Sequence, residues 1–265
     1  MKKSTCFILA ILIMTYSFSQ DSQEGGPYRL RAGIDAPIII GGAGLSYVGL
    51  KYLREKKRLD SAYVATLGPE DVNRFDRSAT RQNGEGMGLY SDIALFSSIA
   101  LPFFLNVDKH IRSDALKVSI LYVETMAVMA NAYVWGVGST KRIRPYVYNP
   151  DVPFEDKLRR GTTNSFFAGH CAAAAASSFF AAKVYNDYHP DSKLRKFFWA
   201  GALIPPAIVG YFRYKDGQHF LTDTLAGIPI GMTIGILVPH LHKKTGDQKT
   251  VLFPTPGGIG LIRKL

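Results

Sequence analysis

The 265-residue sequence predicts an all-α protein, a bundle of about six core helices with a short irregular or hairpin tail. Apolar segments recur at 34–50, 93–107, 115–137, 166–184, 197–212 and 221–241. Gly or Pro punctuates their ends, and most are long enough for helices. No internal repeat or low-complexity stretch interrupts the series, and the length suits one helical domain with a sizeable core.

The elements follow in order. Lys2 and Lys3, an apolar run and Ser17-Phe18-Ser19 read as a signal peptide over 1–19, which predicts an exported, bacterial cell-envelope protein. Residues 20–33 form an extended arm, 34–245 the helical domain and 246–265 the tail. In the first segment Gly41, Gly42 and Gly44 suggest close helix packing rather than a dinucleotide fingerprint. Lys51, Arg54, Lys56, Lys57 and Arg58 follow it, a cluster that ordinarily marks a cytoplasmic loop. Residues 54–90 read as a partly helical excursion with a glycine-rich exit. Pro205-Pro206 should kink the fifth segment. Val251 to Ile262 suggests a hairpin.

The formal charge of +11 fits anionic partners such as lipid head groups or phosphorylated substrates, and no nucleic-acid module is visible. Cys6 would leave with the signal peptide, so Cys171 stands alone without a disulfide partner and reads as a small buried helix residue. His240 and His242 sit at a helix C-terminus beside Lys243 and Lys244, where cations belong and metal binding is not expected. Residues 197–212 and 221–241 suit a bilayer, whereas Lys117 and Glu124 interrupt the third segment and the mean hydropathy is only +0.02. The balance favours membrane association, with a soluble exported protein as the alternative.

Three groups of residues carry chemistry. Arg213, His219 and Asp223 have spacings that suit phosphate: on a helix after Gly217, His219 and Asp223 would share a face, where the carboxylate holds the imidazole in one tautomer. Arg213 would grip phosphoryl oxygens from the approach. Lys141-Arg142-Ile143-Arg144-Pro145 places three cations near each other, with Arg144 held in a loop by the proline. Gly169 and His170 open an alanine-rich helix, whose first N–H groups favour an anion.

In order and internal spacing, Arg144-Pro145, Gly169-His170 and Arg213…His219…Asp223 resemble the type 2 phosphatidic acid phosphatase and vanadium haloperoxidase superfamily. The chain departs from the family pattern at Val137, where a lysine stands, at Phe167-Ala168 in place of Pro-Ser, and at Phe212 in place of serine. The resemblance implies a metal-independent phosphatase with no cofactor, acting on a phosphomonoester or terminal pyrophosphate, most simply on a lipid. It implies His219 as nucleophile, Asp223 as its orienting group, and His170 as general acid. Arg144, Arg213 and the Gly169 amide would hold phosphate, and Lys141 or Arg142 would stand in for the missing lysine. The alternatives are a soluble periplasmic acid phosphatase, a vanadium haloperoxidase, and a non-catalytic binder of phosphorylated lipids. The family's envelope members suggest a site on the exported face.

Overall fold

A computed structural model describes residues 25–84 and 86–244 together with the backbone of 250–255 and 258–263. The segment expected to be a signal peptide, 1–19, lies outside the described residues. Ten α-helices are described: α1 (Ala32–Glu55), α2 (Ser61–Ala65), α3 (Met87–Phe104), α4 (Lys109–Ser113), α5 (Ala115–Ser139), α6 (Phe154–Lys157), α7 (Gly169–Tyr188), α8 (Arg195–Gly201), α9 (Ile204–Lys215) and α10 (Leu221–Leu241). An antiparallel hairpin of β1 (Thr250–Thr255) and β2 (Gly258–Arg263) follows, with Thr250 opposite Arg263, as the tail sequence suggests.

Helix α7 forms the centre. Its alanine run leaves few positions that need solvent, and nearly every residue from Gly169 to Val184 is buried. Helix α10 lies against it with almost no gap. A Cβ added at Gly227, Gly231 or Gly235 would fall 2.6, 1.9 or 2.4 Å from the carbonyl oxygens of Ala168, Ala172 and Ala176. Glycine every fourth residue on one helix thus meets alanine every fourth residue on the other, and the backbones approach as small-residue helix pairs do.

Helix α1 runs parallel to α5. Gly42 faces Ala127 and Asn131, and Gly49 faces Val134. Gly41 and Gly44 have nothing within 4 Å, so the packing role expected of that glycine group holds only for Gly42. Two prolines change the fifth segment more than a kink would. It divides into α8 and α9, with Pro205 and Pro206 in the first turn of α9, where a missing N–H costs nothing.

Four helices, α1, 87–107, α5 and α10, are long and apolar enough to cross a membrane. Ile34, Ile40, Tyr47, Phe96, Leu225 and Leu237 on these helices are exposed. An outer surface this apolar suits lipid better than water. The protein is membrane-associated. Cys171 is fully buried and free.

Candidate active site

At one end of the bundle α5 and α9 finish while α7 and α10 begin. Backbone hydrogen bonds join the loops there. The N–H groups of Arg144, Ser165, Ala168 and Tyr146 donate to the carbonyls of Thr162 (2.8 Å), Arg142 (3.1 Å), Asp223 (3.1 Å) and Gly217 (3.0 Å). Gly217 has φ +65°, and a Cβ there would lie 2.7 Å from the Gln82 carbonyl oxygen, so only glycine makes this turn without strain.

His219 precedes the first residue of α10 and therefore does not share a helical face with Asp223, which sits in the first turn. It is 3 % exposed. Its Nδ1 lies 2.7 Å from the Ser165 carbonyl oxygen but 3.8 Å from Asp223 Oδ2. The backbone carbonyl, an acceptor only, holds the proton on Nδ1 and leaves Nε2 with a free lone pair. Asp223 acts one step back: Oδ2 accepts the Ser165 hydroxyl at 2.6 Å and the Phe220 N–H at 2.9 Å, and Oδ1 accepts Arg142 Nη1 at 2.5 Å. Burial pushes the His219 pKa down to about 4, with the nearby Arg144 pushing the same way and Asp223 opposing, so the imidazole is neutral near pH 7.

Arg142 does not present its fork to a pocket. Nη1 bonds Asp223 and the Thr222 hydroxyl (2.8 Å), and Nη2 bonds Asp76 Oδ2 at 2.7 Å. Asp76 also accepts the Thr222 N–H at 3.1 Å and its hydroxyl at 2.7 Å. Burial alone would raise the Asp76 pKa, but hydrogen bonds from Thr222, Asn73 and Arg142 outweigh it and hold the carboxyl below its ordinary value. Arg142 is thus a buttress between two buried carboxylates. The exposed Lys141 lies near Lys56, whose pKa burial and then Lys141 push down.

Val137, at the position of the family lysine, is fully buried with Leu53 and Val134. An ammonium nevertheless arrives beside it: Lys56, at the end of α1, donates to the carbonyls of Val137 (2.9 Å) and Thr140 (2.7 Å) and to Asn164 Oδ1 (3.0 Å). All three of its donors are engaged, so Lys56 ties α1 to the site loops.

Arg144 is anchored by Nε to the Gly161 carbonyl at 3.1 Å and by Nη1 to Gln218 Oε1 at 2.5 Å. Arg213 reaches in from the last turn of α9. Its Nη2 bonds Asp92 Oδ1 at 2.6 Å, while its buried Nε has no hydrogen-bond partner among the described residues. The same Asp92 oxygen is 3.3 Å from His170 Nε2. Burial, then Arg213, His219 and Arg144, push the His170 pKa down to about 3, which brings those four side chains into one electrostatic neighbourhood. The His170 side chain is 36 % exposed, so solvent weakens that push.

Gly169 also has a packing reason. A Cβ there would lie 2.3 Å from the Tyr133 ring, which fills the space beside the α7 N-terminus. The N–H groups of that first turn have no intrahelical partner and point out of the end of the helix where His170, Arg213 and His219 gather. Asp92 and Asp76 carry no spacing signal, since each reaches the site from a segment with no recognisable motif, though Asp92 stands out as a lone carboxylate beside an apolar run; Ser165 opens the segment that leads into Gly169-His170.

Residues 117–247 match the family model of the PAP2 superfamily. The chain carries a PAP2 superfamily domain. A solved structure described as the first transmembrane PAP2 type phosphatidylglycerolphosphate phosphatase from Bacillus subtilis is similar to the chain at 19 % identity. The alignment covers 78 % of this chain and 94 % of that one, with a TM-score of 0.42. No curated protein sequence matches significantly. The PAP2 match spans all three groups of motif residues.

Proposed function

We propose that this PAP2 protein is a phosphatase that removes a terminal phosphate from a lipid through a phosphohistidine on His219. The observation that carries the reading is the buried, neutral His219 with Nδ1 committed to a carbonyl and Nε2 free, in the electrostatic company of Arg144, Arg213 and His170. Nε2 attacks phosphorus and the bond to the leaving oxygen breaks. His170 Nε2 gives that oxygen its proton, and Arg144, Arg213 and the α7 N–H groups stabilise the charge on the equatorial oxygens. In the second step His170 takes a proton from water, whose oxygen attacks phosphorus and frees His219 with inorganic phosphate.

A general acid must begin protonated, and the bare pocket opposes that. A bound phosphate dianion reverses the field of the two arginines, while Asp92 supplies a carboxylate 3.3 Å from Nε2. The acid role of His170 therefore depends on substrate. Asp92 competes with phosphate for Arg213, so substrate binding exchanges one anion for another at that fork.

The surroundings support a lipid substrate: the site lies at the end of helices whose outer faces are apolar. The reading keeps the site on the exported face. One observation favours the cytoplasmic face instead. Lys56 ties the end of α1 to the site loops, so the basic cluster Lys51 to Arg58 lies at the site's own end of the bundle, and such clusters are held on the cytoplasmic side. The test of function is phosphate release from lipid and soluble phosphomonoesters by the purified protein and by His219→Ala. Turnover of lipid phosphates by the parent chain and its loss in the variant support the reading; equal turnover in both defeats it.

A further inference from the structure

We propose that Asp35, Glu124 and His242 form a three-ligand site for a divalent cation of the zinc type, separate from the phosphate pocket. Asp35 lies in the first turn of α1, Glu124 in the first half of α5, and His242 caps α10. Asp223 lies at the other end of α10, so the two sites are about 28 Å apart along that helix. The proposal goes beyond the phosphatase reading and does not depend on it.

The ligand atoms all lie within 4.8 Å of one another. His242 Nε2 is 3.0 Å from Asp35 Oδ1 and 3.4 Å from Glu124 Oε2. A tetrahedral ion with bonds of about 2.0–2.2 Å separates its ligands by roughly 3.3–3.6 Å, so the two distances from His242 stand near the edge lengths such an ion needs, and the third is at most 4.8 Å. One imidazole and two carboxylates suit zinc, and a divalent ion neutralises the two acids.

Two further observations point to a ligand. Glu124 is 2 % exposed and lines a cavity of about 570 Å³, yet its Oε2 has no hydrogen-bond partner among the described residues. A carboxylate oxygen buried in that way needs a cation or a proton. The other two ligands are aimed by their remaining atoms. His242 Nδ1 donates to the Val238 carbonyl at 2.8 Å, and Asp35 Oδ2 accepts the Arg31 N–H at 2.5 Å. Each then turns a single atom, Nε2 or Oδ1, toward the same point, as outer-shell bonds do for metal-binding histidines. The cavity, lined also by Arg31, Lys243 and Lys244, has room for a fourth ligand such as water.

The competing arrangement is a doubly protonated His242 shared by the two acids, which uses the same contacts and binds no metal. The experiment titrates tag-free, full-length, chelator-stripped protein in detergent with Zn²⁺ and, separately, with Co²⁺. The expected result is one ion per chain, the visible absorption of tetrahedral cobalt, and an X-ray absorption spectrum with nitrogen and oxygen ligands only. Those readings use the unaltered chain, so they stand whether or not a variant folds. Asp35→Asn and Glu124→Gln should each weaken binding by more than the 10–100-fold that loss of an outer-shell partner costs, and His219→Ala should bind as the parent does. Uptake well below one ion per chain, binding unchanged in both carboxylate variants, or binding lost in His219→Ala would overturn the proposal.

Discussion

The proton on His219 sits on Nδ1 because a backbone carbonyl takes it, and that detail reorders the roles read from the sequence. Asp223, expected from the sequence to orient His219 directly, would in the proposed mechanism position it through Ser165 and Arg142. Asp223→Asn should therefore lower kcat with little change in KM, and Ser165→Ala should reproduce part of the loss, since the hydroxyl bridges Asp223 to the loop that carries the carbonyl. An effect on KM alone would contradict this. For His170, titration by NMR should show its pKa rising when vanadate enters the pocket; an unchanged value would separate the acid role from substrate. The two imidazoles also set an acid limit on stability. Their folded pKa values, about 4 for His219 and about 3 for His170, lie below the ordinary 6.5, so the unfolded chain binds more protons as the pH falls. The stability that both contribute is fully present above about pH 6.5 and is lost progressively toward pH 4. Thermal melts of the parent and of His219→Gln should converge as the pH drops from 7 to 4; a constant gap would count against a neutral buried His219. At this scale, motif spacing marked Arg144, Arg213, His170, His219 and Asp223, and the structure gathers them at one end of the bundle. Asp92 and Asp76 were not marked in that way, because each depends on a contact between distant segments.

Helices were legible where apolar runs were long. Segment 221–241 coincides with α10, and the other long runs lie within a few residues of their helices. The break between α8 and α9 was only partly legible, since adjacent prolines disfavour a continuous helix without saying whether it bends or stops. The expected helical face for His219 failed because α10 starts two residues later, after a turn that Gly217 makes possible. What the sequence hid most completely was the contact between α7 and α10. Gly227, Gly231 and Gly235 read as ordinary glycines of an apolar helix until alanine carbonyls are found where their side chains would be. Gly231→Leu should separate the two helices, destabilise the protein by ~3 kcal/mol or more, and disturb the pocket, because Gly169 and Asp223 lie at the starts of those helices. A thermal midpoint within a degree of the parent's would contradict the packing account.

Across the whole molecule, three motif groups spread over about eighty residues reach one end of a bundle because α5 and α9 run toward that end while α7 and α10 run away from it. The same arrangement places the Lys51–Arg58 cluster beside the site, which makes orientation a property that can be measured. A cysteine at position 215, at the pocket end of α9, should react with an impermeant reagent in intact cells if the site is exported; protection would assign it to the cytoplasmic face. That chemistry requires His219 to carry phosphate in turn, and rapid quenching with a ³²P-labelled lipid monophosphate tests it most directly. The account predicts a burst of protein-bound label that is acid-labile, stable to alkali and absent in His219→Ala. Turnover of the same substrate with no labelled enzyme at any quench time, or label that persists in His219→Ala, would contradict it.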